Sequence, residues 1–311
     1  MESNKEFPPA IYWKMTPIIL HGTVAGMDNR AEVEFERVQE GEDLAQVHGE
    51  TVKNYAVLDQ LVSGAIALLN RVGWPVQGVA ADLGSGTGVG ACILSKYPAI
   101  REIYAIEYSE KHVTHVMPEV FQYFHAMGEK IRRVVGDFND IQLPDESLDL
   151  ILEIDSYHHS EDLALSAQEA YRVLKSGGAV IAVDRAWADE TPESHLDDLL
   201  AKEFPAELKK KYGIQETQSF TRRDFGEHEY KCCFWEQTFQ KVGFETFMLI
   251  QDHPKNIPGA NFILLRLPAF DWSVKLAANL YRRGRKRATV YGWGYQRHVM
   301  LFIKPQAIKE R

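Results

Sequence analysis

The residues with most chemical content run from Val79 to Gly88, Val-Ala-Ala-Asp-Leu-Gly-Ser-Gly-Thr-Gly. A short apolar run stops at Asp82. Glycines follow at alternate positions, Gly84, Gly86 and Gly88, with Ser85 and Thr87 between them. Glycines here let the chain turn tightly and let a ligand approach the main chain. An apolar helical pattern comes next, and a helix start offers free N–H groups and a positive dipole end. The arrangement is a cradle for a cofactor. Gly86-x-Gly88-x-x-Ala91 also fits the loose dinucleotide pattern, so a nicotinamide cofactor is a second occupant on these residues alone. Glu107 stands 25 residues past Asp82, near the spacing of acids that bind ribose. An ionised carboxylate can accept hydrogen bonds from both hydroxyls of a diol.

The whole phrase Asp82-Leu83-Gly84-Ser85-Gly86-Thr87-Gly88 resembles motif I of the class I S-adenosylmethionine-dependent methyltransferases. In that family an acid, then glycines at alternate positions, closes the first strand. The resemblance implies that Asp82 faces the cationic amino-acid end of S-adenosylmethionine. It implies that Gly84, Ser85, Gly86 and Gly88 meet the rest of the cofactor along the backbone. Ile103–Glu107 resembles the family's second strand, whose closing acid takes the ribose hydroxyls; Tyr108 would then line the adenine pocket. Gly136-Asp137-Phe138 resembles the end of the third strand, which puts Asp137 at the adenine amino group and Phe138 beside the ring. Ser147–Glu153 resembles the fourth strand, and Glu153 joins the expected cofactor contacts. Arg172-Val173-Leu174-Lys175-Ser176-Gly177-Gly178 is similar to the turn before the fifth strand, with Ser176 in place of the usual proline. The similarity covers about residues 43–184, with looser agreement in 223–250 and 297–304.

Ser156-Tyr157-His158-His159 follows the fourth strand, at the carboxyl edge where such sheets bind ligands. It resembles the His-His of ubiquinone-biosynthesis-type methyltransferases and their natural-product relatives. A sulfonium methyl is already electrophilic, so such an enzyme mainly aligns an in-line attack. A hydroxyl acceptor must also lose its proton, and a histidine suits that near neutral pH. His158 and His159 are therefore the expected catalytic residues, with Asp184 orienting an imidazole. The expected reaction is O-methylation of a small molecule. Methylation at carbon or nitrogen without a base is the alternative, as is a cofactor-binding partner subunit without catalysis. No metal is expected: oxygen-ligand sites need clustered carboxylates, and the spacing of Asp155, Asp184 and Asp189, the one such group near the site, does not establish a cluster.

Alternating strands and helices must position these residues. Apolar runs predict strands at Val79–Leu83, Glu102–Glu107, Ile131–Val135, Leu148–Ile154, Ala179–Asp184, Phe244–Ile250 and His298–Lys304. Helical spacing predicts helices at Asp43–Arg71, Val89–Lys96, Glu110–Met127 (bent near Pro118) and Glu161–Leu174, then Thr191–Tyr212 broken at Pro205, and Arg223–Val242. Near-continuous apolar strands predict a parallel sheet covered on both faces. The fold class is thus α/β, a doubly wound, mostly parallel sheet. The resemblance supplies seven strands in the order 3-2-1-4-5-7-6, with the last antiparallel. Residues 1–42 read as an irregular N-terminal cap, broken at Pro8, Pro9, Pro17, Gly22 and Gly26. Residues 43–311 read as the methyltransferase domain, with insertions at about 185–222 and 252–295 gathering over the carboxyl edge.

The 311-residue chain has ordinary globular composition, 45% hydrophobic and 25% charged. Its net charge of −9 argues against a general nucleic-acid binder. The N-terminus lacks the pattern of a signal peptide, and no apolar run of about 18 residues would span a membrane. Cys92, Cys232 and Cys233 read as ordinary thiols of a cytoplasmic protein rather than a disulfide framework. Trp272–Arg287 reads as a helix ending in a basic run, Arg282–Arg287, suited to an anionic surface, a lid or a homo-oligomer contact.

Overall fold

The computed structural model describes residues 7–15, 21–48, 50–71, 73–187, 189–250, 263–264 and 297–306. Its strands are β1 (Ile11–Tyr12), β2 (Gly78–Leu83), β3 (Ile100–Glu107), β4 (Ile131–Val135), β5 (Leu148–Ile154), β6 (Leu174–Arg185), β7 (Glu245–Ile250), β8 (Ile263–Leu264) and β9 (Arg297–Ile303). They form one sheet in the order β1-β4-β3-β2-β5-β6-β9-β7-β8. Without the two-residue edge strands β1 and β8, this is the expected seven-strand order. Strands β4, β3, β2, β5 and β6 run parallel, and β9 lies antiparallel to both β6 and β7.

The apolar strands are buried because both faces of the sheet are covered. Ala80 of β2 belongs to the core layer that holds Leu58, Leu61 and Leu69 of the helix Tyr55–Arg71 and Ile93 of the helix Val89–Ser95. Its neighbours Ala81 and Leu83 point the other way, among Leu163, Trp235 and Phe239 of helices Leu163–Val173 and Cys232–Val242. The alternation is the period of two that a strand imposes. Each fully buried Leu or Phe contributes on the order of 2 kcal/mol of transfer free energy, so the two layers fix the strand ends with little latitude.

Five elements differ from the sequence expectation. The single helix expected over Asp43–Arg71 is three, Leu44–Val47, Glu50–Lys53 and Tyr55–Arg71. The segment expected to be irregular before residue 42 holds a 19-residue helix, His21–Gln39. Gly26 lies inside it rather than breaking it and packs on Tyr212, where a Cβ would stand 3.5–3.6 Å from the Tyr212 backbone and ring, an ordinary contact. The expected helix Glu110–Met127 opens with a widened turn at His112–Val116 and continues as Met117–Tyr123, with Pro118 in its first turn. The expected helix Arg223–Val242 begins only at Cys232; residues 222–226 form turns and 227–230 an irregular segment instead. The turn before the fifth core strand is a bulge within β6: pairing with β5 jumps from Leu148–Leu174 to Leu150–Ala179. The expected helix Trp272–Arg287 lies outside the described residues. Among the described residues no helix is long and apolar enough to cross a membrane.

The N-terminal helix packs on the helix Ala206–Lys211: Arg30 donates to the Tyr212 hydroxyl at 3.0 Å and Asn29 to the Lys211 carbonyl at 3.2 Å. Phe204, Tyr212 and Phe225 form a small separate core against Met27. The early and middle segments thus meet each other above the sheet rather than trailing from it.

Candidate active site

Asp82 is the penultimate residue of β2, and the loop behind the strand is held by backbone hydrogen bonds of its own and to β3. Ser85 N–H donates to the Ile106 carbonyl at 2.9 Å, and Gly88 N–H to the Ser85 carbonyl at 2.7 Å. Gly86 N–H donates to Glu107 Oε2 at 2.9 Å, while Ser109 N–H donates to Glu107 Oε1 at the same distance. Glu107 therefore braces the glycine loop from the neighbouring strand and retains lone pairs for a ligand. Burial pushes its pKa up, partly offset by these backbone donors. Gly84 sits at φ +62°, and a Cβ there would lie 2.4 Å from Ser156 Cβ, so only glycine lets the loop touch the turn after β5.

Asp82 is buried beneath the loop, and its Oδ2 accepts from Ala91 N–H at 2.8 Å, in the first turn of the helix Val89–Ser95. Burial pushes its pKa up to about 7, against the help of that backbone donor and Ser85. A cavity of about 240 Å³ opens here, walled by Asp82, Gly84, Ser85, Gly86, Glu107, Tyr108 and Phe138 among others. Gly88 and Asp137 are not on that wall. Asp137 Oδ1 accepts from Asn139 N–H at 2.8 Å and closes the turn after β4. Two features fit a bound cofactor. The space beside Gly86 is open, with no atom within 4 Å of a Cβ built there, and Thr87 Oγ1 is buried without a partner.

The opposite flank of the cavity comes from the turn after β5. Asp155 takes a left-handed conformation (φ +52°), and Asp155, Ser156 and His159 line the cavity. Glu153 does not; it lies fully buried, with Oε2 accepting from Ser156 N–H at 3.1 Å and from the Ser156 hydroxyl at 2.9 Å. It shapes the turn from below. His158 and Asp184 are brought together: Nδ1 of His158 lies 2.6 Å from Asp184 Oδ1, and His158 N–H donates to Oδ2 at 3.1 Å. Burial would raise the Asp184 pKa, but His158 and Arg185 outweigh it and hold the carboxyl below its usual range. An ionised Asp184 favours the His158 proton on Nδ1 and orients the ring. His159 is pushed down to about 3 by burial and by neighbouring His158, so it is neutral.

Residues 222–230 cross over this turn. His228 N–H donates to the His158 carbonyl at 2.9 Å. Glu227 reaches the cavity wall, 3.7 Å from His158 Nε2. Arg185 pairs with it closely, and Arg222 bridges Glu227 at 3.0 Å and Glu229 at 2.6 Å. Despite burial, His159, His158 and Arg185 hold the Glu227 carboxyl far below its ordinary range. Met27, Arg30, Tyr212, Phe225 and Glu227 also line the cavity, and sequence reasoning missed all five. Glu227-His228-Glu229, two acids about a histidine, is the one local signal that could have drawn attention.

The doubly wound sheet with its final antiparallel strand, and the acid-glycine loop backed by Glu107, define the class I S-adenosylmethionine-dependent methyltransferase fold. Residues 81–182 match the family described as methyltransferase domain, so the chain carries such a domain and S-adenosylmethionine is its cofactor. A sarcosine/dimethylglycine N-methyltransferase of Aphanothece halophytica is 26% identical over 54% of this chain and 60% of its own length. Another, of Halorhodospira halochloris, is 28% identical over 57% of this chain and 54% of its own. The chain thus spans little more than half the length of these curated relatives. A solved structure from Galdieria sulphuraria, a candidate sarcosine dimethylglycine methyltransferase, superposes with a TM-score of 0.51 at 17% identity. It covers 89% of this chain and 98% of its own, a likeness of fold.

Proposed function

We propose that this protein transfers a methyl group from S-adenosylmethionine to an oxygen of a small polar molecule. The observation that carries the reading is the buried Asp184–His158 pair, which lies behind His159 and Glu227 of the cavity wall rather than on it. Bound S-adenosylmethionine supplies an electrophilic methyl and leaves as S-adenosylhomocysteine. The chain's own residues do the rest. The glycine loop, Asp82 and Glu107 hold the cofactor side. Neutral His159 and the Arg30, Tyr212 and Glu227 wall orient the acceptor, which is where alignment contributes most. His158 Nε2 receives the hydroxyl proton, and ionised Asp184 stabilises the imidazolium that results.

Nitrogen is the second acceptor reading, favoured by the names of the 26–28% identical relatives. An amine that arrives neutral needs no base in the transfer itself, so the two readings separate cleanly. Purified protein with methyl-labelled S-adenosylmethionine is offered matched hydroxyl and amine acceptors, and His158→Ala is compared with the native chain. The oxygen reading expects product on hydroxyls and a loss of roughly 10²–10⁴-fold in the variant. Amine-only product, with turnover unchanged in His158→Ala, rejects it. The expected roles of Gly88, Asp137 and Glu153 at the cofactor become support for the loop and turns, which their hydrogen bonds favour.

A further inference from the structure

We propose that His158, His159 and Glu227 form a binding site for a divalent first-row transition metal ion on the acceptor side of the cavity. One donor atom from each of these three residues lies within 4.8 Å of the others. Donors around a single such ion at about 2.1 Å stand roughly 3–4 Å apart, so the three need to close by about an ångström. Two imidazoles and one carboxylate on one side of an ion leave positions open opposite, the arrangement that suits iron, cobalt or zinc rather than magnesium or calcium.

Three independent features support the assignment. Nδ1 of His159 is shielded from solvent and has no hydrogen-bond partner, an unmet requirement that a ligand would satisfy. His158 is held through its other nitrogen by Asp184 at 2.6 Å, the carboxylate–histidine support that orients metal-ligating imidazoles. The charge around the site also accommodates a cation. Arg185 and Arg222 lie against Glu227 but also pair with Glu229, and the Asp184 carboxyl, which accepts from the Arg185 backbone N–H, adds a third acid beside the two guanidiniums. His159 and Glu227 are both on the cavity wall, so the open positions face the space where an acceptor sits. An ion there selects acceptors with a second oxygen or nitrogen donor beside the methylated atom.

The inference rests on the reading that this wall faces the acceptor, but not on His158 being a base. The ion and the proton compete for the same Nε2 lone pair, so an occupied site leaves the acceptor's proton to solvent.

The test uses tag-free full-length protein, stripped with chelator and dialysed. Zinc binding is followed by calorimetry and cobalt binding by its visible ligand-field bands, both without cofactor or acceptor. One equivalent per chain is expected, lost in His159→Ala and in Glu227→Gln. In Asp184→Asn the affinity is expected to fall roughly 10–100-fold. A cooperative urea transition on the same samples reports that each variant is folded, and S-adenosylhomocysteine binding is measured on the native protein. Absence of a bound equivalent in native protein overturns the proposal. So does equal binding in native protein and in folded His159→Ala and Glu227→Gln. Metal binding as expected without S-adenosylhomocysteine binding supports the site and rejects the cofactor reading instead.

Discussion

Gly90 lies directly against Asp82: a Cβ added to Gly90 would stand 2.3 Å from Asp82 Oδ1 and 2.6 Å from its carboxyl carbon. The carboxylate at the end of β2 is thus pressed onto the first turn of the helix Val89–Ser95, where Ala91 N–H bonds it. The helix start stabilises the buried charge, and the missing side chain at position 90 is what permits the approach.

Alanine at a helical glycine usually stabilises by up to about 1 kcal/mol. At Gly90 the sign should reverse. The methyl group has to displace a buried carboxylate, an overpacking cost of roughly 1–3 kcal/mol. Gly90→Ala is expected to lower the urea midpoint and to weaken S-adenosylhomocysteine binding by at least about tenfold, or roughly 1.4 kcal/mol. A variant as stable as the native protein with native affinity would show that Asp82 does not depend on this contact.

Asp82 also gives a pH dependence whose direction is fixed. Its pKa rises from 3.8 to about 7 on folding, chiefly through burial. Between those values the native state holds a proton that the unfolded state has released. Its contribution to stability is therefore complete below about pH 4 and is lost as pH rises through about 7. Cofactor binding should run the other way, because the ionised carboxylate is the form that meets an ammonium. Affinity for S-adenosylhomocysteine is expected to increase from about pH 6 to about pH 8, while apo stability declines over the same window. Urea titrations and calorimetry across pH check both trends, and Asp82→Asn should flatten them. Trends of the same sign would contradict the assignment.

The sheet and the cofactor loop were legible because their information is local. Asp82, the alternate glycines and Glu107 sit at strand ends whose apolar runs can be counted, and the β9 antiparallel return follows from the resemblance. The acceptor wall was not legible. Arg30, Tyr212 and Glu227 come from three distant segments, and nothing in their spacing says that they converge. The helix His21–Gln39 was hidden by Gly22 and Gly26, which weigh as breakers until Tyr212 is seen packed on Gly26. At Asp137 and Glu153 a familiar position suggested ligand contact, and one oxygen of each is engaged by the turn beside it.

The Asp184–His158 pair predicts a loss confined to turnover. In Asp184→Asn the shape is kept, but the amide cannot hold the imidazole proton on Nδ1 as an ionised carboxylate does. Turnover is expected to fall by roughly 10²–10⁴-fold. S-Adenosylhomocysteine affinity should stay within about twofold, since Asp184 is absent from the cavity wall. Steady-state kinetics with the labelled cofactor, set beside calorimetry, separates the two. Equal losses in affinity and turnover would make Asp184 a structural residue of the β6 end.

Glu34 predicts how the early helix is fastened. It is fully buried, with Arg30 Nε at 2.9 Å, Lys211 Nζ at 2.5 Å and His48 Nδ1 at 3.2 Å. Despite burial, which would raise it, hydrogen bonding with His48 and the charge of Arg30 hold its pKa far below 4.5. Its contribution is present above about pH 4.5 and is lost only as pH falls through the folded value. Glu34→Gln leaves the two cations facing an uncharged group, a loss of about 3–5 kcal/mol for a buried partner. The exposed pair Arg37–Glu42 is the internal control, because breaking it should cost less than about 1 kcal/mol. Urea unfolding at neutral pH ranks the two. Because Arg30 and Tyr212 line the cavity, Glu34→Gln should also weaken acceptor binding more than cofactor binding. If both substitutions cost the same, the buried cluster is not what joins the N-terminal helix to the helix Ala206–Lys211.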